Sequence, residues 1–484
     1  MVDCVEHVAR TIFWVSPKTD IRDPELKIVR YEKMSTSDPV LKRVLKLPTV
    51  AFIAIGFMIG GGIFVFTGIV FKITGPALPL AYGLAVIPVF ISMMPLAMLG
   101  SAIPTTGANY RYPSRMVSPG LAFVGVWVYA WASFFGQVPL YALGCAEYAR
   151  ALMPSVSATP LAIGLVTFFY IINLLGIKLA ARIQGILVIV LIAALIYYAY
   201  CGMIVIDAAN FDRIMQKGPS NLLLGTALLT FTYFGANGLI ELGGEIVNPS
   251  RVIPQAFFIA LPTVMLLYLA VATATVGALP GTIIDNAAEP LIRVARDTTS
   301  RTGFVFFMLG GAVLALITTL NALFIIGTKS LLMIARDKLV PEKLGQLNQR
   351  FGTPHVFLTL AWLLAVLGII SGFSLTTLAS YAALGGMIIF LPVMVASIRL
   401  PILYPEHYEN AVFKLRGFWL WFCPIIGTLL MVFFSLIILI DLKSVWKIGW
   451  FMTFVASGII YYHWRKRYLA RSGIRIAVLI GEQL

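Results

Sequence analysis

Three consecutive glycines, Gly60 to Gly62, sit at the centre of the apolar stretch Pro48 to Phe71, within GFMIGGGIF (Gly56 to Phe64). A stretch of roughly 20 residues, at about 1.5 Å each, is long enough to cross a 30 Å hydrocarbon layer as a helix. Each glycine costs a continuous helix about 1 kcal/mol against alanine. Two readings follow. In the first the helix breaks here, and its freed N–H and C=O groups are satisfied inside the protein or in a wet cavity. The N–H groups opening the second half-helix then face a bound anion, most simply a carboxylate. In the second the glycines form a close-packing surface of the small-xxx-small kind.

The chain around this stretch is 60% hydrophobic and 12% charged over 484 residues, a balance that points to a polytopic membrane protein. Its net charge of +15 does not imply nucleic acid. About 27 of the 36 lysines and arginines fall in segments assigned to one side of the membrane, which is the positive-inside pattern. Cys4, Cys145, Cys201 and Cys423 have no metal or disulfide spacing. His7, His355 and His407 fall in tails or loops and His463 at a helix end, so no histidine proton relay is expected at membrane depth. No cleavable signal peptide is visible, because the first 48 residues are mixed in charge and lack a long apolar core.

Twelve apolar segments are predicted, at 49–71, 77–101, 121–147, 160–176, 183–206, 221–246, 255–278, 304–328, 356–371, 375–398, 418–440 and 445–463. The fold class is therefore all-α, with both termini on one side. The loops with Arg111 and Arg115, Lys178 and Arg182, Arg336 to Arg350 and Arg399 to Arg416 share that side with Arg465 to Arg467, which makes it cytoplasmic. The opposite loops hold Asp207, Asp212, Asp285, Glu289 and Asp441. Residues 1–48 are expected as a cytoplasmic tail whose end, LKRVLKLP, lies on the inner membrane surface or links through solvent, and 464–484 as a second cytoplasmic tail.

The sixth segment repeats the peculiarity of the first. It reads TFTYFGANGLIELGGEI and carries Gly235-Ala-Asn-Gly238 midway along. Two glycine-interrupted segments in corresponding halves point to a midplane binding site between inverted repeats. This favours the broken-helix reading. Helices 1–5 (49–206) and 6–10 (207–400) form the predicted repeats, and helices 11 and 12 (401–463) are additions.

At these residues the sequence resembles the amino acid–polyamine–organocation superfamily of secondary transporters. GGGIF at Gly60 to Phe64, GPA at Gly75 to Ala77 and GSAIPTTGANYRY at Gly100 to Tyr112 are similar to its first signatures. FGANGLIELGGEIVNPSRVIP at Phe234 to Pro254 resembles its helix 6 signature. Lys329, ARDKLVP at Ala335 to Pro341 and Gly352-Thr-Pro354 resemble the region from the end of helix 8 onward.

The resemblance implies a LeuT-like fold of two inverted five-helix repeats, with helices 1 and 6 unwound and amino acids or related amines as substrates. It implies that the substrate carboxylate meets N–H groups of Gly60, Gly61 and Gly62. The ammonium would meet carbonyls near Met58 and Ile59 and near Phe231 and Phe234. Half-helix N-termini favouring anions and C-terminal carbonyls favouring cations agree with this, at about 0.3–2 kcal/mol each. Four positions depart from the pattern. Met98 stands where many relatives have an acid, Gly244-Glu245 where they have Glu-Glu, Lys329 where an arginine is common, and Leu191 near the place of a helix 5 lysine. The last departure argues against a lysine-based proton or exchange mechanism.

Phe231 matches the family's aromatic gate; its bland alternative is a packed ring. Asn237 either bonds substrate or holds irregular backbone, for which Asn is suited. Glu241 and Glu245 are intramembrane carboxylates, functional by default. Glu245 pairs with Lys329, Arg251 or Lys178 either as a cytoplasmic gate or as a static ion pair. Thr318 and Thr319 offer hydroxyls for a coupling sodium, or simply back-bond within their helix.

The function expected is secondary transport of amino acids, neutral rather than charged, by alternating access in the plasma membrane. The coupling ion is sodium or proton, and no other cofactor is expected. No G-x-x-x-x-G-K-[ST] loop is present for ATP. A cationic amino acid or polyamine exchanger and a membrane amino acid sensor are the alternatives. An enzyme is disfavoured, since no H-E-x-x-H and no His and Asp cluster at membrane depth occurs. The expected partners are an amino acid and the lipid bilayer, not nucleic acid.

Overall fold

Apolar sequence with its backbone bonds closed internally is what lipid tolerates, and the elements formed by the described residues are all helices. The computed structural model describes residues 45–152, 155, 157–175, 180–212, 214–244, 246–279, 290–348, 353–474 and 476. Contacts divide the chain into Met1–Leu41 and Lys42–Leu484, and every described residue falls in the second unit. Two isolated bridges, Leu45 with Ile246 and Thr106 with Leu242, are the extended pairings among the described residues.

The helices are α1 (Leu47–Thr74) and α2 (Leu78–Ala102), then a short α3 (Ala108–Met116). α4 (Pro119–Trp131) and α5 (Val138–Leu152) are joined by a π-helical turn at Ala132–Gln137, followed by α6 (Ala158–Leu175) and α7 (Ala180–Ile204). α8 (Gly218–Thr232), a 3₁₀ turn at Phe234–Asn237 and the single turn α9 (Gly238–Glu241) come before α10 (Pro249–Ala278). α11 (Pro290–Thr298) is followed by α12 (Arg301–Phe306), which continues through a π-helical turn at Phe307–Val313 into α13 (Leu314–Arg336). α14 (His355–Ile370), α15 (Leu375–Leu403), α16 (Pro405–Asn410), α17 (Phe418–Asp441) and α18 (Val445–Arg471) complete the set. Prolines open α1, α2, α4, α10 and α16, where a missing N–H costs nothing. Ser118, Ser300 and Ser374 cap α4, α12 and α15 through their hydroxyls.

Eight helical stretches among these residues are long and apolar enough to cross a membrane, one of them running from Leu47 to Ala102 through the Gly75–Ala77 turn. Ala158–Leu174 and His355–Ile370 are shorter apolar helices. Only 33% of the most apolar window of α17 is buried, so a strongly apolar helix turns most of its surface outward, as lipid-facing helices do. The protein is an integral membrane protein. Inside, helices approach through small residues: Gly56 lies on Val188, Gly144 on Val65, and Gly385 on Ala132.

Several predicted ends are corrected. The sixth segment stops being helical at Glu241, not 246. The eighth continues to Arg336, so Lys329 lies two turns inside a helix rather than at its end. The last continues to Arg471, which puts His463 and Arg465–Arg467 on a helix instead of at its end and in a tail. His355 and His407, expected in loops, stand in α14 and α16. Hydropathy falls where charges begin, whereas helical hydrogen bonding continues along residues such as Leu331 to Arg336 that are good helix formers. Most of the N-terminal tail, Lys178, Asp285, Glu289, Gly352 and Glu245 lie outside the described residues.

Candidate functional site

Both glycine-marked segments are interrupted. Gly60, at φ −2° and ψ −160°, leaves helical geometry inside α1. The second interruption is the passage from α8 through Tyr233 and the 3₁₀ turn into α9. The two meet backbone to backbone. A Cβ on Gly235 would fall on the Phe57 carbonyl and within 2.6 Å of the Met58 nitrogen, so only glycine permits this approach.

The freed groups of α1 have partners. Gly61 N–H donates to Thr319 Oγ1 at 2.7 Å, and the same hydroxyl donates to the Ala315 carbonyl at 2.7 Å. Tyr268 Oη donates to the Met58 carbonyl at 2.6 Å. Tyr268 also packs at 5.1 Å against the rings of Tyr82 and Tyr233, which fixes that donor in place. Gly60 lies so close to Thr319 that a side chain there would displace its hydroxyl.

Beside the interruptions lies a cavity of ≈ 80 Å³, room for several water-sized groups. Gly56, Phe57 and Met58 of α1 line it, with Phe231, Phe234, Asn237 and Glu241 from the second interruption. Thr318 and Thr319 of α13 face it, as do Gly386 and Phe390 of α15. Tyr129, Gln137 and Tyr141, on and beside the first π-helical turn, give it further polar groups, as does Asn109 of α3. Phe231 stacks toward Phe66 at 5.7 Å and edge-on to Phe234 at 6.3 Å, while Phe234 meets Phe390 at 4.4 Å. Phe231, Phe234 and Phe390 form its apolar part.

Glu241 is 1% exposed. Its Oε1 accepts the Asn109 N–H at 2.9 Å, and Ser330 Oγ lies 3.4 Å from both carboxylate oxygens. The Asn237 side chain is buried at 7% exposure, and its Oδ1 has no hydrogen-bond partner among the described residues.

The predicted site residues therefore separate. Met58, Phe231, Phe234 and Asn237 line the cavity along with Thr318 and Thr319. Ile59, Gly60, Gly61 and Gly62 lie beside it and are not in its wall. Thr318 Oγ1 donates to the Ala315 carbonyl at 3.0 Å, as Thr319 does, and an N–H points at the Thr319 oxygen. A hydroxyl that donates keeps its two lone pairs, so Thr318 retains both and Thr319 retains one beside the Gly61 N–H. Among the described residues no three His, Cys, Asp or Glu side chains gather into a metal-binding group. Lys329 has an interaction partner and exerts its field on Glu241. Met98, in the place of a family acid, is buried and its sulfur accepts the Leu415 N–H at 3.4 Å.

Residues 45–471 match the amino acid permease family. The chain belongs to that family. It is a transporter, not an enzyme. The permease is 23% identical over 457 residues to the branched-chain amino acid permease of Bacillus subtilis, covering 88% of this chain and 94% of that one. It is 25% identical over 388 residues to the methylthioribose transporter of the same organism, covering 76% and 83%. It is 25% identical over 345 residues to cationic amino acid transporter 3, mitochondrial, of Arabidopsis thaliana, covering 65% and 55%.

Sequence reasoning did not find Tyr268, Gln137, Tyr141 or Phe390. Tyr268 carried a signal, a lone tyrosine amid the apolar run LLYLAV, whose hydroxyl needs a partner when buried. Asn109 lay within a quoted signature, and its contact with Glu241 explains part of that signature. The same element supplies Tyr110, whose hydroxyl donates to Asp337 at 2.6 Å, and Arg115, which pairs with Asp337 at 2.6 and 3.0 Å.

Proposed function

We propose that this permease is a secondary active transporter of neutral amino acids that works by alternating access. In this reading twelve helices cross the plasma membrane with both termini cytoplasmic. Residues 49–206 and 207–400 form inverted five-helix repeats of the LeuT-like kind, and 401–463 adds helices 11 and 12. The observation that carries it is the backbone contact between two interrupted helices, Gly235 on Phe57 and Met58, beside a shared cavity. Non-helical backbone at membrane depth is tolerated where it is buried or lines a cavity, and such breaks hold the charged ends of a substrate.

The substrate carboxylate takes the N–H groups of Gly60 to Gly62, which requires the Thr319 hydroxyl to release Gly61. The ammonium takes carbonyls near Met58 and Ile59 and near Phe231 and Phe234. Phe231, Phe234 and Phe390 receive an uncharged side chain, and Phe231 serves as the gate over it. Glu245 with Lys329 forms a second, cytoplasmic gate. The energy comes from an ion gradient or from exchange.

One observation favours a second reading. Glu241 is a carboxylate in the cavity wall, and an acid there suits a cationic side chain. Its N–H donor and the field of Lys329 answer part of that charge, which supports a neutral substrate.

Uptake of each labelled common amino acid into proteoliposomes, beside binding to the same protein, tests the proposal. Saturable uptake of neutral amino acids is expected. Binding without uptake would make the protein a sensor, and uptake restricted to arginine, lysine or polyamines would establish the cationic exchanger.

A further inference from the structure

We propose that Glu241 is the proton-carrying site of this permease, with the proton on Oε2 shared toward Asn237 Oδ1. The inference deepens the transport reading and rests on it. Asn237 and Glu241 are four residues apart across one helical turn, so their side chains share a face, and both reach the cavity. Glu241 Oε1 has the Asn109 N–H, the Asn109 side chain also interacts with the carboxylate, and Ser330 approaches both oxygens at only 3.4 Å. Asn237 Oδ1, 93% buried with its side chain, has no donor at all among the described residues. A carboxylate and an amide oxygen are both acceptors. For two acceptors one turn apart in the same buried wall, a proton on Glu241 supplies the missing hydrogen as O–H···O=C.

The ionisable groups facing Glu241 come from three elements. Lys329 on α13 acts on it, and Tyr112 on α3 and Tyr129 on α4 feel its charge. α1 and α2 also pack on this turn and bring no ionisable side chain into that field among the described residues. The step is a simple transfer. A proton from water on one side forms the Oε2–H bond, and the bond breaks to water on the other side, with no other reactant. The movement that drives it is local. The Asn109 N–H holds the carboxylate while α3 and α9 are together, and separation of those elements removes that donor and leaves Asn237 to hold the acid.

The opposite orientation of the Asn237 amide would turn Nδ2 toward Glu241 and need no proton, so the two arrangements predict different spectra. The test uses the full chain in lipid nanodiscs and infrared difference spectra between high and low pH. A protonated-carboxyl band that grows on acidification and is missing in Glu241→Gln is expected. Its absence from the wild type, or its persistence in Glu241→Gln, overturns the proposal and needs no knowledge of the substrate.

Proteoliposomes and an equimolar mixture of labelled neutral amino acids give the second arm. An inward gradient of one pH unit drives accumulation up to about tenfold for one proton per substrate. The ratio of gradient-driven to exchange uptake falls to about one in Glu241→Gln, whatever its absolute rate, and Glu241→Asp restores it. Gradient-driven uptake that survives in Glu241→Gln also overturns the proposal. Absence of any uptake or exchange by the wild type would defeat the transport reading instead, and the carboxyl band would still decide the proton site.

Discussion

The Gly61 N–H and the Thr319 hydroxyl, 258 positions apart in the chain, meet at 2.7 Å, and the same hydroxyl donates to Ala315. One side chain of α13 thus occupies the N–H that the broken turn of α1 presents. A substrate carboxylate directed at that N–H competes with the threonine. Thr319→Val keeps the shape and removes the acceptor. It should lower stability by about 1 kcal/mol and tighten amino acid binding several-fold, while Thr319→Ser changes neither greatly. Thermal shifts with and without the transported amino acid measure both effects. Weaker binding in Thr319→Val would mean that the hydroxyl assists the carboxylate rather than competing with it.

The backbone contact at Gly235 makes a sharper prediction. A methyl group there meets main-chain atoms of Phe57 and Met58, which cannot rotate away. Gly235→Ala should destabilise the permease by about 1–3 kcal/mol or more, and reduce binding with it. Gly164, inside α6 with open space around it, is the control. Gly164→Ala should gain about 0.5–1 kcal/mol through helix propensity alone. Equal melting temperatures for Gly235→Ala and the wild type would contradict the close approach of the two interruptions.

Gly386 controls the aromatic part of the cavity. A Cβ at this position would come within 2.6 Å of the Phe231 ring, so Gly386→Ala displaces that ring within the cavity wall. Binding of leucine and phenylalanine should weaken more than that of glycine and alanine, as one or two lost methylene contacts cost about 1–3 kcal/mol each. Competition against a labelled small amino acid reads this directly. A uniform loss for all of them would remove Phe231 from substrate selection.

Arg115 and Asp337 are 3% and 2% exposed and joined through two hydrogen bonds, with the Tyr110 hydroxyl as a third donor to the carboxylate. Asp337→Asn leaves a buried guanidinium under-compensated and should cost about 3–5 kcal/mol. The double variant Arg115→Met with Asp337→Leu removes both charges and should recover part of that loss. Denaturation of the single and double variants in the same detergent decides it. A double variant less stable than Asp337→Asn would assign the pair a stabilising role beyond mutual compensation.

The sequence by itself determined the helical, membrane-embedded class, the places where two helices are interrupted, and the family. These are local matters. Lipid leaves backbone groups no partner but one another, and a glycine run or an FGAN segment weakens a helix wherever it stands. Tertiary structure alone decided the partners of the exposed backbone: Thr319 for Gly61, Tyr268 for the Met58 carbonyl, and Asn109 for Glu241. It also moved the cavity wall to Gly56–Met58, one turn before the triglycine, and set beside the lone acid in α9 an Asn237 whose Oδ1 has no hydrogen-bond partner among the described residues. Pairings between residues 132 to 258 positions apart leave no periodic trace, because each depends on which helix faces which and not on the composition of either.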